Sequence, residues 1–299
     1  MNAHEDNAAA NPVSVVGLGA MGQAIAAVLL ANGHPTTVWN RSAGKADELV
    51  ARGAVDAGTL GAAVGASPLV IACLLDHASV HEALEPVADL LSGRVLVNVT
   101  TTTAAEARRT AAWAAEHGID YLDGAMIAVP QMIGRPGSSL LYSGSRTAFE
   151  QHRAMLDLLG ASTYFGEDAG LASLYDLALL SGMYAMFGGF FHATAMVGTA
   201  GAKATEFVSM LVPWLKSMAD LLPSYAEIIE KGDYTTDVQS LLFNKSAVDA
   251  IARTSLEQGI GVDMVAPVQA LIDRQIAEGH GADSFVRVIE GIRNPVPRS

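Results

Sequence analysis

Val13-Ser14-Val15-Val16-Gly17-Leu18-Gly19-Ala20-Met21-Gly22 places a short apolar run directly before a GxGxxG turn. Residues 21–32 follow, rich in Ala and Leu and closed by Gly33, a pattern that predicts a helix with a glycine stop. A GxGxxG alone is a weak signal. Between a strand and a helix it is the fingerprint of a dinucleotide site. Gly17 permits the tight turn, Gly19 lets a pyrophosphate approach the backbone, and Gly22 lets helix and strand pack closely. The helix start offers free N–H groups to phosphate. Residues 17–22, with Leu18, Ala20 and Met21 between the glycines, are therefore expected to hold a cofactor.

Residues 36–39 predict a second strand. NAD-binding chains place an acid at its end to bond the ribose 2′-hydroxyl. Here the strand runs into Asn40-Arg41-Ser42, with Lys45 close behind. Arg41 suits adenine stacking and a 2′-phosphate, Lys45 adds a second positive charge, and Asn40 and Ser42 offer hydrogen bonds. The alternative is a solvated Arg and Lys at a helix start. The expected cofactor is NADP(H). Two further loops follow strand-like runs at residues 69–75 and 95–99. Cys73, Leu74 and Leu75 stand in one, Asn98 and Thr100 in the other, and all five are expected to border the cofactor. Thr101 is placed with the substrate. Cys73 also reads as a small core hydrophobe, and Asn98 and Thr101 as ordinary turn chemistry.

Helical patterns at residues 21–32, 45–52 and 104–117 alternate with the strands, and a strand is expected near Tyr121. This rhythm predicts a parallel sheet with helices on both faces. Beyond Tyr164 the pattern is helical, with stretches expected at residues 204–222, 224–231, 237–258 and 265–278, and with Asp168 as a helix cap. The fold class is thus an α/β N-terminal Rossmann domain at residues 13–166, plus an all-α C-terminal domain at residues 167–299 joined by a long interdomain helix. Residues 1–12 read as a disordered lead-in without the features of a signal peptide.

The chain of 299 residues is 51% hydrophobic and 16% charged, with a net charge of −13, which argues against nucleic acid as a partner. Its one cysteine, Cys73, allows no internal disulfide and fits a cytoplasmic protein. Residues 177–202 contain no Asp, Glu, Lys or Arg and are long enough to span a bilayer. Their five glycines, His192 and lack of basic flanks favour a helix buried in a protein core or subunit interface over a membrane span.

Asp176 is the last charge before that run. Desolvation there would raise its pKa and make it an acid near neutrality; a surface carboxylate at a helix start is an equal reading. Tyr184 lies about 80° round and roughly 12 Å further along a helix. It reads either as a pocket residue or as a buried aromatic.

The motif and layout resemble the β-hydroxyacid dehydrogenase superfamily, whose catalytic lysine early in the interdomain helix has no counterpart between Lys45 and Lys203. The chain resembles the imine reductase and reductive aminase family more closely, from Val13 to about Arg293. The matching stretches are GLGAMG, VWNRSAGKA, VNVTTTT, LYDLALLSGMY, IEKGDY and GVDMVAPVQALIDRQIAEGHGADSF. The resemblance implies NADPH-dependent reduction of imines to amines, with or without joining of ketone and amine. It puts Asp176 at the family's acid position and Tyr184 at its pocket tyrosine. Asn40, Arg41, Ser42 and Lys45 fall on its 2′-phosphate site, and Trp214, Phe243 and Asn244 near its substrate pocket. It further implies a homodimer with exchanged helical domains, which would bury residues 177–202 in a soluble protein. The alternatives are an NADP-dependent 3-hydroxyacid dehydrogenase and a non-catalytic NADP-binding scaffold.

Overall fold

The computed structural model describes residues 11–295. Most of the lead-in expected at residues 1–12 lies outside the described residues. Strands β1 (Val13–Val16), β2 (Thr36–Trp39), β3 (Val55–Asp56), β4 (Leu69–Ala72), β5 (Val95–Asn98), β6 (Asp120–Ile127), β7 (Ser139–Gly144) and β8 (Ala161–Tyr164) form one eight-stranded sheet. Its order is β3-β2-β1-β4-β5-β6-β7-β8. β1, β4 and β5 are buried at every position, as expected of central strands covered on both faces. Alternate residues feed two cores: Val13, Val15, Leu69, Ile71, Val95 and Val97 enter one, and Val16, Val70, Ala72 and Leu96 the other.

The helices of this half are α1 (Ala20–Ala31), α2 (Asp47–Val50), α3 (Leu60–Gly65), α4 (His77–Leu84), α5 (Ala88–Leu91), α6 (Ala104–Glu116) and α7 (Arg146–Leu156). α6 starts at a capping box in which Thr103 and Glu106 satisfy each other's backbone N–H groups. The expected helix at residues 45–52 shrinks to the single turn α2. The sheet departs from the expected all-parallel pattern at β7, which pairs antiparallel with β6. The connection between them holds only a short 3-10 turn, Pro130–Met132, and two glycines with positive φ, Gly134 and Gly137. No crossover helix lies between them, so the chain turns straight back.

α8 (Gly170–Gly198) runs for 29 residues, starting earlier than the apolar run suggests. The expected cap is present: the Gly170 N–H donates to Asp168 Oδ1 at 3.0 Å. Arg108 on α6 grips the same carboxylate twice, Nε to Oδ1 and Nη2 to Oδ2, each at 2.8 Å. Ser143 on β7 accepts from the Ala172 N–H and donates to the Ala169 carbonyl. Gly170 is required here, since a Cβ would run into the Ala104 carbonyl and the Arg108 guanidinium.

Two compact units emerge, residues 1–181 and 182–299, dividing within α8. The second contains α9 (Ala204–Ala219), α10 (Leu222–Lys231), α11 (Leu241–Glu257), α12 (Ala266–Gln275) and α13 (Val288–Arg293), with no strand among the described residues. Lys245 on α11 bridges Asp249 and Asp273, tying α11 to α12.

The buried residues of α8 are Gly170, Ala172, Ser173 and Asp176, all in its opening turns. The expectation that residues 177–202 are buried is not met within the single chain. Leu179, Phe187 and Phe191 are exposed, and the helix is long and apolar enough to cross a membrane by length and composition. Cover within the chain is partial: Met264 packs on Gly188, and His192 meets Ser255, but the larger apolar side chains stay exposed.

The Arg108 hydrogen bonds hold the Asp168 carboxyl down to about 2. A carboxylate depressed on folding stabilises the fold above its unfolded value near 4 and loses that contribution as pH falls through the folded value. Asp168→Asn should therefore melt below the wild type above pH ~4, with the gap closing towards pH ~2. Thermal melts across that range check this; a gap that stays constant to the lowest pH overturns it.

Candidate active site

The register pairs Val16 with Ala72 and Ala72 with Asn98, so β1, β4 and β5 end level at their carboxyl edge. The loops beyond them enclose a cleft of ≈ 390 Å³. Gly17, Gly19, Ala20 and Met21 line it from the first loop, Asn40, Arg41 and Ser42 from the second, and Cys73, Leu74 and Leu75 from the third. Trp39, Ser79 and Ala83, which the sequence did not single out, complete it.

The three motif glycines serve different ends. Gly17 has φ +97, and a Cβ there would strike the Cys73 carbonyl and the Leu74 side chain. A Cβ on Gly22 would strike the Gly17 carbonyl. A Cβ on Gly19 meets no atom within 4 Å. Gly19 thus opens onto free space, while its neighbours are fixed by packing. No side chain caps α1 and its first turn carries no acid, which leaves its N–H groups to an incoming anion. These features fit a dinucleotide's pyrophosphate.

Asn40 braces the second loop, accepting from the Leu18 N–H at 2.9 Å and donating to the Ser42 carbonyl at 3.0 Å. Leu18 itself is buried in the core. Arg41 is exposed, with a loose partner in Glu82 at 3.8 Å. Lys45 and Gly22 are not part of the cleft wall; the Lys45 carbonyl accepts from Gln23. Burial pushes the Cys73 thiol up to about 11, so it is no nucleophile at neutral pH. Thr100 Oγ1 accepts from the Leu74 N–H at 2.9 Å, and Asn98 Oδ1 accepts from the Thr100 N–H at 3.2 Å. Asn98 and Thr100 act inside the protein as loop braces, and Thr101 is exposed.

Asp176 is 6% exposed, and burial raises its pKa. Close behind it lies a network that sequence reasoning missed. Asp123 on β6 is fully buried and accepts from Tyr121 Oη at 2.9 Å and Ser173 Oγ at 2.6 Å. Asn98 Nδ2 donates to Tyr121 Oη at 3.2 Å. The available signal was an aspartate, two residues from a tyrosine, on one face of an apolar strand. Tyr184, Trp214, Phe243 and Asn244 belong to the unit spanning residues 182–299. Tyr184, Trp214 and Phe243 are exposed in the single chain, and Asn244 donates to Gln239 and to the Ser240 carbonyl.

Residues 168–294 match the NADPH-dependent reductive aminase-like C-terminal domain, and residues 12–166 match the NAD binding domain of 6-phosphogluconate dehydrogenase. An NADPH-dependent reductive aminase of Aspergillus oryzae is 43% identical over 282 residues, 93% of this chain and 96% of that protein. The chain belongs to the imine reductase and reductive aminase family. Among solved structures, the Aspergillus terreus reductive aminase in complex with NADPH4, cyclohexanone and allyl amine is 42% identical, with a TM-score of 0.91 over 95% of this chain and 100% of that one. The Myxococcus stipitatus imine reductase in complex with NADP+ is 34% identical, with a TM-score of 0.88 over 94% and 99%. A Rossmann half is shared by many chemistries, so the helical half carries the distinction from other dehydrogenases.

In this reductive aminase relative, Gly19→Ala should leave the melting temperature within about a degree and weaken NADPH binding at least roughly tenfold. Gly17→Ala should lower stability by about 1–3 kcal/mol. Thermal melts and cofactor titration separate the two; equal destabilisation by both variants refutes the division of roles.

Proposed function

We propose that this protein reduces the C=N bond of imines to amines with NADPH, and that it also joins ketones with amines before reduction. The observation that carries the reading is the match to a reductive aminase along nearly the whole chain, including the C-terminal domain. NADPH supplies the hydride when bound. Gly19 and the start of α1 receive the pyrophosphate, and Arg41 with Lys45 neutralises the 2′-phosphate. No carboxylate stands at the end of β2 to favour NAD instead.

Asp176 is the acid. Its buried carboxyl gives a proton to the imine nitrogen, or as carboxylate steadies the iminium cation; a poorly solvated site strengthens either action. Tyr184 orients the substrate, and Thr101, Trp214, Phe243 and Asn244 shape its pocket. The protein works as a homodimer with exchanged helical domains. Support comes from the exposed apolar side chains of α8, including Leu179, Phe187 and Phe191, and from Met210 and Trp214 on α9. A chain with one cysteine suits the reducing cytoplasm.

NADPH consumption with a simple cyclic imine, run beside NADH, tests the reading directly. Asp176→Ala should cut turnover by about 100-fold or more while leaving NADPH affinity intact; wild-type turnover in that variant removes Asp176 from the mechanism. Arg41→Ala should weaken NADPH by about tenfold and NADH hardly at all. Equal losses for both cofactors refute the 2′-phosphate assignment.

A further inference from the structure

Asp123 is a buried ionisable group that the reaction as described leaves unused. It is fully buried between Leu122 and Gly124, with Asn98 and Ser143 as its cross-strand partners, and burying a carboxyl there is costly unless something is gained. It accepts hydroxyl hydrogen bonds from Tyr121 on its own strand and from Ser173 on α8. Ser173 precedes Asp176 by three residues, so the two share a face of α8. Tyr121 from β6 and Ser173 from α8 donate to Asp123, Asn98 from β5 reaches it by way of Tyr121, and buried Asp176 follows one helical turn after Ser173. Its ladder partner on β7 is Ser143, whose hydroxyl serves the Ala169 carbonyl. Among the described residues, no Lys, Arg or His stands within ion-pair distance of Asp123 or Asp176.

We propose that Asp123 and Asp176 hold one proton between them during imine reduction, with Asp123 as a positioning residue that keeps this proton available to Asp176 and anchors the opening of α8 through Ser173. The proposal rests on the functional reading above. Two buried carboxyls without a cation resist carrying two negative charges, so the second ionisation belongs to the pair and is delayed towards neutrality. Burial, and then the charge of Asp176, push the Asp123 carboxyl up to about 7 against the opposing Ser173 and Tyr121 hydrogen bonds. In the one-proton state the site offers an acid. The Asp176 O–H bond breaks as an N–H bond forms on a neutral imine, and the pair left behind is a dianion facing an iminium cation. Water or a buffer acid restores the proton before the next cycle.

The test is Asp123→Asn, which retains the size of the side chain and can still pair with both hydroxyls while removing the charge. With a preformed cyclic imine, the alkaline limb of the kcat/KM profile should move to lower pH by about one unit or more. The KM for NADPH should stay unchanged. A purely structural role for Asp123 predicts a lower melting temperature with an unmoved limb, and that result overturns the proposal. A second readout needs no turnover: infrared or carbon-13 NMR titration of the carboxyl groups in the full-length protein. It should show an acid protonated to near pH 7 that disappears in Asp123→Asn and titrates lower in Asp176→Asn. If Asp123→Asn does not fold, Asp176→Asn decides alone, and an Asp123 signal unmoved in that variant refutes proton sharing. Absent turnover on any imine, together with the expected carboxyl titration, sinks the imine reductase reading and leaves the shared proton standing.

Discussion

Gly17 sits with φ +97 hard against the carbonyl of Cys73, and Gly22 sits against the carbonyl of Gly17. These two close approaches hold the end of β1, the start of α1 and the loop after β4 together without an intervening side chain. Everything the cleft offers to a phosphate follows from that. The α1 N-terminus points its unpaired N–H groups past Gly19 because Gly17 has turned the chain there and Gly22 has pressed the helix against the strand. The cleft is therefore a consequence of backbone packing, with the side chains of Asn40, Arg41 and Ser42 along its wall. Asn40 belongs to this frame, since its carbonyl oxygen holds the Leu18 N–H and its amide closes on Ser42. Arg41 stands free of the frame, tied only to an exposed glutamate at 3.8 Å. A surface pair of this kind contributes little to stability, so it does not fix the Arg41 side chain in place.

The part of the fold that could be read from sequence is the part governed by local rules. β1, β2 and the first glycine loop follow from apolar runs and glycine spacing, and Asp168 was legible as a cap because capping is chemistry within a few residues. The antiparallel β7 was not legible, because strand direction depends on whether the intervening chain builds a crossover, and only the short 3-10 turn Pro130–Met132 stands between Ile127 and Ser139. Asn98 was legible as a residue at the carboxyl edge of the sheet, but not the use of its side chain on Tyr121 and on the Thr100 N–H. Side-chain direction of this kind is set by long-range strand pairing. Asp123 escaped for the same reason. Nothing local tells that its partner will be a serine 50 residues away on another element.

The apolar length of α8 was plain in the sequence, but its surroundings were not. Composition says that such a helix must be covered; it does not say by what. The single chain buries the opening turns and leaves Phe191 65% exposed. The demand for cover is thus located beyond Asp176. Asp176 falls at the boundary between the buried opening of α8 and its exposed apolar continuation.

Two aspartates work on that boundary in opposite electrical states. Asp168, at the surface, is gripped by a bidentate arginine and held down to about 2, so it is a fixed anion at any working pH. Asp123, on the buried side, has only hydroxyls and another carboxyl near it and is pushed up to about 7. The first supplies rigidity: it ties Gly170 to α6 and sets where α8 begins. The second meets the same helix one turn further on, through Ser173, where a movable proton is chemically useful. Exchanging their surroundings would defeat both roles, since an arginine beside Asp123 would strip the proton and hydroxyls alone at Asp168 would loosen the helix start. The placement of Asp176 three residues beyond Ser173 is then intelligible: it shares a face of α8 with the serine that holds Asp123, and it is itself buried, so its charge reaches the second aspartate.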